Sequence, residues 1–337
     1  MRKYILLAIA ALVVLLGSAM AYYTLFSSII REAGVFINVD QDDTADSVVA
    51  DYALAVHGSH LWAFQTVASV LKYPEHVRTG HYEIRPGEGV LSLVRKLRSG
   101  MQSPIRLVVP SVRTPERLAA ELGEKLMIDS ATIINALKDS ATCMAYGLDT
   151  ANIIGMFIPN THEIYWNISV DKLLNRMQKE SDRFWTSERR KKAEKTGLTP
   201  QQVITLASVI DEETANNAEK PMIAGMYLNR LKVDMPLQAD PTIKFALRQF
   251  GLRRIYHDLL TVDSPYNTYR NTGLPPGPIR IPSAAGIDAV LNAVSHDYLY
   301  MCAKEDFSGS HNFARTYSEH LQNARKYSAA LNARGIR

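Results

Sequence analysis

The feature that most constrains this chain is an uncharged apolar run at its start. After Met1, Arg2 and Lys3, the residues from Tyr4 to Phe26 carry no charge. At 1.5 Å per residue, a helix over this run is about 34 Å long, enough to cross a hydrocarbon core of about 30 Å. We therefore predict a single-pass membrane anchor.

The residues flanking this run predict its orientation. Arg2 and Lys3 precede it, and the positive-inside rule keeps such an end in the cytoplasm. We then expect the chain in the inner membrane, with its folded part on the periplasmic side. A cleaved signal peptide is the alternative, because Ala19-Met20-Ala21 resembles a cleavage site. The apolar run continues beyond that site, which favours the anchor. Both interpretations export the rest of the chain.

Composition excludes several classes of protein. The 337 residues are 47% apolar and 21% charged, as in a folded chain with a hydrophobic core. Lys and Arg number 38 against 34 Asp and Glu, so we expect no nucleic-acid partner. Cys143 and Cys302 are too few for a disulfide scaffold or a four-cysteine zinc module. We expect two separate thiols, with a single disulfide as the alternative.

The motifs of metal, nucleotide and nucleophile enzymes are absent from the sequence. His162-Glu163 lacks a second histidine at the spacing of a zinc-binding helix. There is no phosphate-binding loop ending in Lys-Ser or Lys-Thr, no Gly-x-Ser-x-Gly elbow, and no nucleophile motif around either cysteine. These absences favour a reaction driven by carboxyl groups, with no metal or cofactor.

Hydrophobic periodicity predicts a small α+β region after the anchor, over residues 31–105. Its predicted elements are strands at 34–39 and 81–85 and helices from 45 to about 56, from 61 to 71 and from 90 to 99. In the last helix, Val90, Val94 and Leu97 are predicted to be buried, and Gly100 ends it. Nothing in this region indicates catalysis.

The remaining residues, 106–337, form a larger α+β region. It is expected to begin with a strand at 105–109 and a helix that starts at Thr114-Pro115 and reaches about Lys125. The basic run 188–192 is interpreted as a solvated helix face, with a membrane-surface contact as the alternative. The fold class is therefore α+β, with an N-terminal transmembrane helix and two further regions.

The segment 199–214 carries the strongest candidate for catalysis. Thr199 and Pro200 suit the N-cap and first position of a helix. The apolar stripe that follows consists of Val203, Leu206, Ala207 and Ile210. Three residues beyond Ile210, the stripe reaches Glu213.

The three acids at the end of this helix are expected to differ. Asp211 and Glu212 are turned about 100–200° from the stripe, toward solvent or the side, whereas Glu213 follows the buried face. A carboxyl group against apolar surroundings resists ionisation, and its raised pKa suits a general acid near neutral pH. The alternative is that all three acids decorate an exposed helix end.

Two later segments, 237–242 and 264–269, combine polar side chains with tyrosine rings. Amides and carboxylates can bind sugar hydroxyls, and tyrosines add apolar ring faces. The candidate substrate-binding residues are Gln238, Asp240, Thr242, Tyr266, Asn267, Thr268 and Tyr269. Asp240 before Pro241 is equally a familiar helix start.

Two features lie beyond these segments. The Pro/Gly-rich stretch 273–283 is predicted to be a rigid, non-repetitive loop. Asn312, in the stretch His311-Asn312-Phe313, is a further candidate contact, although such a pair in a turn is more often structural.

In order, these motifs resemble the YceG-like endolytic murein transglycosylases. The matching stretches are 207–214 (ASVIDEET), 237–242 (LQADPT), 266–269 (YNTY) and 273–279 (GLPPGPI). The single anchor also agrees, and residues 31–105 resemble the LysM-like subdomain of that family. The resemblance makes residues 106–337 a YceG-like catalytic domain.

The resemblance implies cleavage of peptidoglycan between N-acetylmuramic acid (MurNAc) and N-acetylglucosamine (GlcNAc), with 1,6-anhydro-MurNAc ends. The family's catalytic glutamate precedes Thr in this motif and maps onto Glu213, the residue that helical periodicity also selects. One carboxyl would protonate the leaving oxygen and then accept the proton of the muramic acid 6-hydroxyl. The partners implied are peptidoglycan glycan strands, with cell-wall synthases as a further idea.

The chain departs from the family in one segment, and two alternatives stay open. Acids expected at positions 154 and 160 are replaced by Ile154 and Asn160, so no supporting carboxylate is expected there. A glycosidase that uses water would need a second carboxylate. A membrane-anchored peptidoglycan-binding scaffold would need no catalytic residue.

Overall fold

The computed structural model describes residues 2–30, 34–55, 59–252 and 254–335. Its first element is helix α1 (Arg2–Phe26), whose 25 residues span about 38 Å and include no buried residue. Among the described residues, it is the one helix long and apolar enough to cross a membrane. The predicted helix is thus present, and its length suits a hydrocarbon core.

The chain divides into two compact units. The first comprises Met1–Leu107, Lys125–Ile128 and His162–Ser169. The second comprises Val108–Glu124, Asp129–Thr161 and Val170–Arg337. The domain limits expected from the sequence, 31–105 and 106–337, stay a prediction.

The first unit contains an antiparallel strand pair. Strand β1 (Val35–Val39) lies beside β2 (Gly80–Ile84), with Val35 opposite Ile84 and Val39 opposite Gly80. The helices are α2 (Ala45–Ala55), α3 (Ser59–Val70) and α4 (Val90–Ser99). The predicted elements are confirmed to within two residues, except that the expected end of α2 near residue 56 lies outside the described residues.

Helix α4 shows how the sequence pattern builds this core. Val90, Val94 and Leu97 are fully buried, as predicted, together with Leu93. Their spacing places all four on one helix face, which packs into the apolar cluster below the strand pair. Gly100 ends the helix in the left-handed conformation, with φ of 72°.

The second unit is mainly helical. Its helices are α5 (Pro115–Gly123), α6 (Ser130–Lys138), α7 (Ser140–Ala145), α8 (Val170–Phe184), α9 (Ser187–Thr196), α10 (Pro200–Glu213), α11 (Lys220–Lys232), α12 (Asp240–Ala246), α13 (Ala284–Leu291) and α14 (Tyr317–Ala333). Its strands are β5 (Tyr300–Ala303) and β6 (His311–Ala314). Two further strands, β3 (Ile105–Val108) and β4 (Thr161–Ile164), lie mostly in the first unit. β3 pairs with β4, and β5 pairs antiparallel with β6.

Helix α10 lies at the centre of this unit. Thr199 caps it and forms a capping box with Gln202, and Pro200 occupies its first turn, as predicted. Every residue from 203 to 210 is buried, so the helix is enclosed on more sides than a single stripe implies. It packs against α11, α12 and α13. This enclosure determines the surroundings of the acids at its end.

The Pro/Gly stretch 273–283 is irregular, as predicted, and much of it is buried. Ser208 of α10 accepts a hydrogen bond from the Ile279 backbone N–H at 3.0 Å, which fixes the loop to the helix. His311-Asn312-Phe313, interpreted as part of a turn, lies instead in strand β6, where it pairs with β5. Cys143 and Cys302 are free thiols, as expected.

Candidate active site

Glu213 is the last residue of α10, and a buried tyrosine holds its carboxyl group. The Tyr227 hydroxyl on α11 donates to Glu213 Oε1 at 3.0 Å. Thr214, the next residue, takes an extended backbone and ends the helix. Glu213 itself keeps partial access to solvent. One carboxyl oxygen therefore has a fixed partner inside the protein.

The surroundings of Glu213 favour its neutral form. Burial raises the pKa of its carboxyl from 4.5 to about 7. The hydrogen bond from Tyr227 and the positive charges of Lys244 and Arg230 oppose this rise, whereas Asp240 adds to it. The prediction that this carboxyl has a raised pKa is confirmed. Near neutral pH both protonation states are populated, as acid and base work by one group requires.

Sequence reasoning did not identify Tyr227. It lies 14 residues beyond Glu213, on another helix, and only 1% of it is exposed. Burial holds the pKa of its hydroxyl well above 10, so it stays a hydrogen-bond donor across the physiological pH range. No local sequence signal separates this tyrosine from a core residue, because its role depends on how α11 packs against α10.

Asp211, predicted to point toward solvent or the side, lies to the side and is not solvated. Its side chain is 4% exposed and forms an ion pair with Lys220 at 2.6 Å. It also accepts a hydrogen bond from the Ser283 backbone N–H at 2.6 Å, at the start of α13. A Cβ at Gly286 would lie 2.5 Å from Asp211 Oδ1, so glycine is required there. Asp211 thus joins three segments of the chain.

Glu212 is likewise not free in solvent. Its side chain is 11% exposed and accepts two hydrogen bonds from Arg113, at 2.8 and 2.9 Å. Arg280 adds a third contact at 3.1 Å. The carboxyl groups of Asp211 and Glu212 are therefore both engaged in ion pairs, while Glu213 has a neutral hydrogen-bond donor.

The two predicted polar segments lie together. Thr268 Oγ1 accepts from the Ala239 backbone N–H at 3.0 Å and shares a hydrogen bond with Thr242 Oγ1 at 2.8 Å. The Gln238 backbone N–H donates to the Thr268 carbonyl at 3.0 Å. These bonds bring Asp240 within 2.5 Å of the Tyr269 hydroxyl, which donates to it.

Arg230 forms hydrogen bonds with the backbone just before Gln238. It is buried and donates to the carbonyls of Leu237 at 2.6 Å and Pro236 at 3.2 Å. Burial lowers the pKa of its guanidinium, although neighbouring tyrosines and Glu213 oppose that effect. Arg230 thus fixes the backbone leading to Gln238 and places a positive charge near Glu213.

The predicted substrate-binding residues fall into two groups. Gln238 and Asp240 are exposed, and Tyr266 and Tyr269 are partly exposed, so these four side chains are accessible to a ligand. Gln238 adopts the left-handed conformation with φ of 49°, which is uncommon for a residue with a side chain and frequent at functional sites.

The other three candidates in these segments are buried. Thr242, Asn267 and Thr268 are at most 1% exposed. The Asn267 amide donates to the carbonyls of Leu260 and Val262, at 2.9 and 2.8 Å. The polar groups of these three residues form hydrogen bonds within the protein. They therefore stabilise the backbone that carries the accessible side chains.

Asn312 lies on strand β6 and has a different partner. On β6, its amide donates to Glu305 at 2.8 Å. No hydrogen bond between described residues joins it to Glu213, Asp240 or Tyr269. Its predicted contact with substrate stays a prediction.

The departures at 154 and 160 add no acid to the site. Ile154 is buried, with 2% exposed, and Asn160 accepts a hydrogen bond from the Thr161 backbone N–H at 2.8 Å. The described residues also contain no group of three histidine, cysteine or acidic side chains placed to hold a metal ion. What the residues around Glu213 offer is one protonatable carboxyl beside accessible polar and aromatic side chains.

Comparison with known proteins agrees with the motifs. The model of the YceG-like family matches residues 37–326. An endolytic murein transglycosylase of Bacillus subtilis (strain 168) is 30% identical over 271 residues, covering 76% of this chain and 74% of that protein. One of Streptococcus pneumoniae serotype 2 is 25% identical over 307 residues, covering 80% of this chain and 54% of that protein, about half its length.

A solved structure extends the comparison to three dimensions. The crystal structure of a yceG-like protein from Listeria monocytogenes matches with a TM-score of 0.55 and 25% identity. The match covers 87% of this chain and 99% of that one. The family match extends over most of the chain, and the similarity to solved and curated relatives extends equally far. The chain belongs to the YceG-like family.

Proposed function

We propose that this protein is an endolytic murein transglycosylase that cleaves the MurNAc–GlcNAc bond of nascent peptidoglycan strands. The relatives from Bacillus subtilis and Streptococcus pneumoniae are named endolytic murein transglycosylases. The observation that carries the proposal is the Glu213 carboxyl, whose pKa burial raises to about 7 beside accessible polar side chains. We assign no metal or cofactor to the reaction.

In the first step, Glu213 acts as general acid. Its proton passes to the glycosidic oxygen as the bond between that oxygen and C1 of MurNAc breaks, and the sugar passes through an oxocarbenium-like state. Because Tyr227 donates to Oε1, we assign the transferred proton to the other carboxyl oxygen, Oε2. The hydrogen bond from Tyr227 then stabilises the carboxylate that remains.

In the second step, the same carboxylate acts as general base. It takes the proton of the MurNAc 6-hydroxyl while O6 attacks C1, which closes the 1,6-anhydro ring and restores the neutral acid. No water enters the product. Intramolecular attack benefits from proximity, so no second carboxylate is needed as nucleophile.

The accessible polar side chains would position the sugars. Gln238 and Asp240 offer hydrogen-bonding groups, and Tyr266 and Tyr269 offer ring edges and faces. The Tyr269 hydroxyl donates a hydrogen bond to the Asp240 carboxylate and holds it in place. A sugar hydroxyl could then donate to the same carboxylate. Thr242, Asn267 and Thr268 would keep these groups in place.

Mass spectrometry of the products tests the reaction type. Uncrosslinked glycan strands digested by the full chain are expected to end in anhydro-MurNAc. Water-dependent hydrolysis would give reducing ends heavier by one water, and such products would exclude the proposed second step.

A scaffold that binds peptidoglycan without turnover is the competing function. It predicts that strands bind but stay uncut by the parent protein. Shortening of strands over time by purified protein would exclude the scaffold. We further propose an uncleaved anchor in the inner membrane with the catalytic residues on the periplasmic side, and cell-wall synthases as partners.

A further inference from the structure

The chain that leaves the anchor is tied closely to the turn before α4. The Ile29 backbone N–H donates to the Glu88 carbonyl at 3.0 Å, and the Gly87 N–H donates to Ser28 Oγ at 2.8 Å. At Gly89, a Cβ would lie 2.5 Å from the Leu25 carbonyl oxygen, so only glycine permits this approach. The start of α4 is therefore fixed against the last residues of α1.

A groove lies where these elements meet. Leu25 and Phe26 of α1 line it, together with the outer face of α4, including Ser92, Arg95 and Arg98. This face is opposite the one that packs into the core, which consists of Val90, Leu93, Val94 and Leu97. The groove thus combines apolar groups from the end of the anchor with a polar, basic helix face.

The charge of this groove is positive, although Arg85 in its lining is paired with Glu83 at 3.1 Å. Its lining contains the cations Arg85, Arg95, Lys96 and Arg98 and the single carboxylate Glu88. Lys96 neutralises Glu88 at 2.6 Å in a largely buried pair. Arg95 and Arg98 are exposed, and no ion pair between described residues involves either. Two unpaired guanidinium groups therefore face the groove.

Helix electrostatics explain only part of this pattern. Lys96 and Arg98 lie in the last turn of α4, where cations complement the helix dipole. The helix dipole does not explain why Arg95 is basic, because Arg95 lies before the last turn. It also does not explain why the apolar end of α1 lies beside these cations. Exposed Met101, with 69% of its surface accessible, extends the apolar part of the same groove.

We propose that this groove binds the headgroups of anionic phospholipids at the membrane surface where α1 emerges. The proposal rests on α1 spanning the membrane, since only then do Leu25 and Phe26 lie at headgroup depth. Guanidinium groups bind phosphate in bidentate geometry, and basic residues at an anionic surface are attracted to it. Aromatic residues at the same end of α1, Tyr22, Tyr23 and Phe26, suit that depth.

Lipid titration followed by native mass spectrometry tests the proposal on the full chain in neutral detergent. The probes are dioleoyl phosphatidylglycerol and dioleoyl phosphatidylcholine, which share their acyl chains and differ in charge. We expect the parent to prefer phosphatidylglycerol. The double variant Arg95→Gln/Arg98→Gln should lose this preference, roughly fivefold per arginine.

The matched control removes the same charge elsewhere. Arg325 and Lys326 are exposed on α14, and Arg325→Gln/Lys326→Gln is expected to keep the parental preference. Equal loss in both double variants would show a general charge effect and overturn the proposal. Equal binding of both lipids by the parent would overturn it as well.

Salt dependence supplies a measurement that needs no variant. The preference of the parent should weaken as salt rises from about 0.05 to 0.5 M, because salt screens exposed charges. A preference that salt leaves unchanged would contradict headgroup binding by arginine. None of these readouts involves glycan cleavage, so failure here leaves the proposed reaction untouched, and failure of that reaction leaves lipid binding testable.

Discussion

Among single residues, Glu213 and Tyr227 explain how a carboxyl on a buried helix can work near neutral pH. Burial is the largest cause of the raised carboxyl pKa, and the Tyr227 hydroxyl limits the rise by donating to the charged form. Asp240, Lys244 and Arg230 supply the remaining charges that act on it. The balance leaves a group that can both give and accept a proton.

Replacing Tyr227 by Phe should shift the pH dependence of kcat/KM. Glu213 must be protonated for the first step, so activity falls as pH rises through about 7. Loss of the Tyr227 hydrogen bond, which lowers the pKa of Glu213, should move this alkaline limb upward by about one pH unit. Tyr256→Phe, at an exposed tyrosine, is the control. An unmoved limb would show that the contact does not act on Glu213.

The raised pKa of Glu213 should also appear in stability. Its folded pKa, about 7, exceeds the ordinary 4.5, so its stabilising contribution is fully present below pH 4.5 and is lost as pH rises through 7. Glu213→Gln lacks this dependence. Between pH 4 and 8, the free energy of unfolding of the parent should therefore fall relative to the variant, by at most about 3 kcal/mol. Parallel profiles from urea denaturation would contradict the raised pKa.

The three acids show how far sequence periodicity reaches. It selected Glu213 correctly as the acid with a raised pKa, because the stripe of α10 depends only on local spacing. It did not predict the ion pairs of Asp211 and Glu212, whose partners Lys220, Arg280 and Arg113 lie 9, 68 and 99 residues away. Tyr227 was not predicted as a partner of Glu213 for the same reason, because it lies 14 residues away on another helix.

At the scale of elements, the end of α10 is held by ion pairs that bring distant segments together. Asp211 connects it to α11 through Lys220 and to α13 through Ser283, and Glu212 connects it to the loop at Arg113. These contacts lie one and two residues before Glu213 and fix the last turn of α10. They therefore support the site without offering it a second acid.

Breaking the Asp211–Lys220 pair should be costly. Lys220→Met would leave a buried carboxylate unpaired, which typically costs about 3–5 kcal/mol in the free energy of unfolding. Lys192→Met, in a largely exposed pair with Glu188, should cost no more than about 1 kcal/mol. Urea denaturation of both variants measures the difference, and similar costs would mean that the buried pair is not what holds α10.

Elements with strong local signals were predictable, and the others were not. Thr199 and Pro200 mark the start of α10, and Gly100 marks the end of α4, through backbone chemistry alone. The β5–β6 hairpin was missed because its short strands pair only in the folded chain. The contact between the 237–242 and 266–269 segments likewise depends on long-range hydrogen bonds such as Ala239 to Thr268.

On the scale of the whole molecule, the apolar helix α1 is long enough to cross a membrane, and the proposed anchor would set where the enzyme acts. An anchored protein meets glycan strands close to the membrane, where nascent strands lie. The two compact units follow the anchor in sequence, and the proposed acid lies in the second. The proposed cutting of nascent strands therefore depends on the proposed anchor as well as on Glu213.

The anchor predicts a definite form of the mature chain. Its intact mass should retain the N-terminal residues, and the protein should stay with membranes during alkaline carbonate extraction. Protease added to spheroplasts should digest the part after residue 34 but spare the N-terminal tip. A mature chain that begins at Tyr22, released by carbonate, would establish the cleaved signal peptide instead.

The most direct test of the account is turnover of uncrosslinked glycan strands by the parent, Glu213→Gln and Asp240→Asn, with exposed Glu188→Gln as the control for lost charge. We predict that Glu213→Gln reduces anhydro-product formation by a factor of about 10²–10⁴, as loss of a general acid does. Asp240→Asn should slow the reaction less and still give anhydro ends. Near-parental turnover by Glu213→Gln would contradict the assignment of this glutamate as the proton donor.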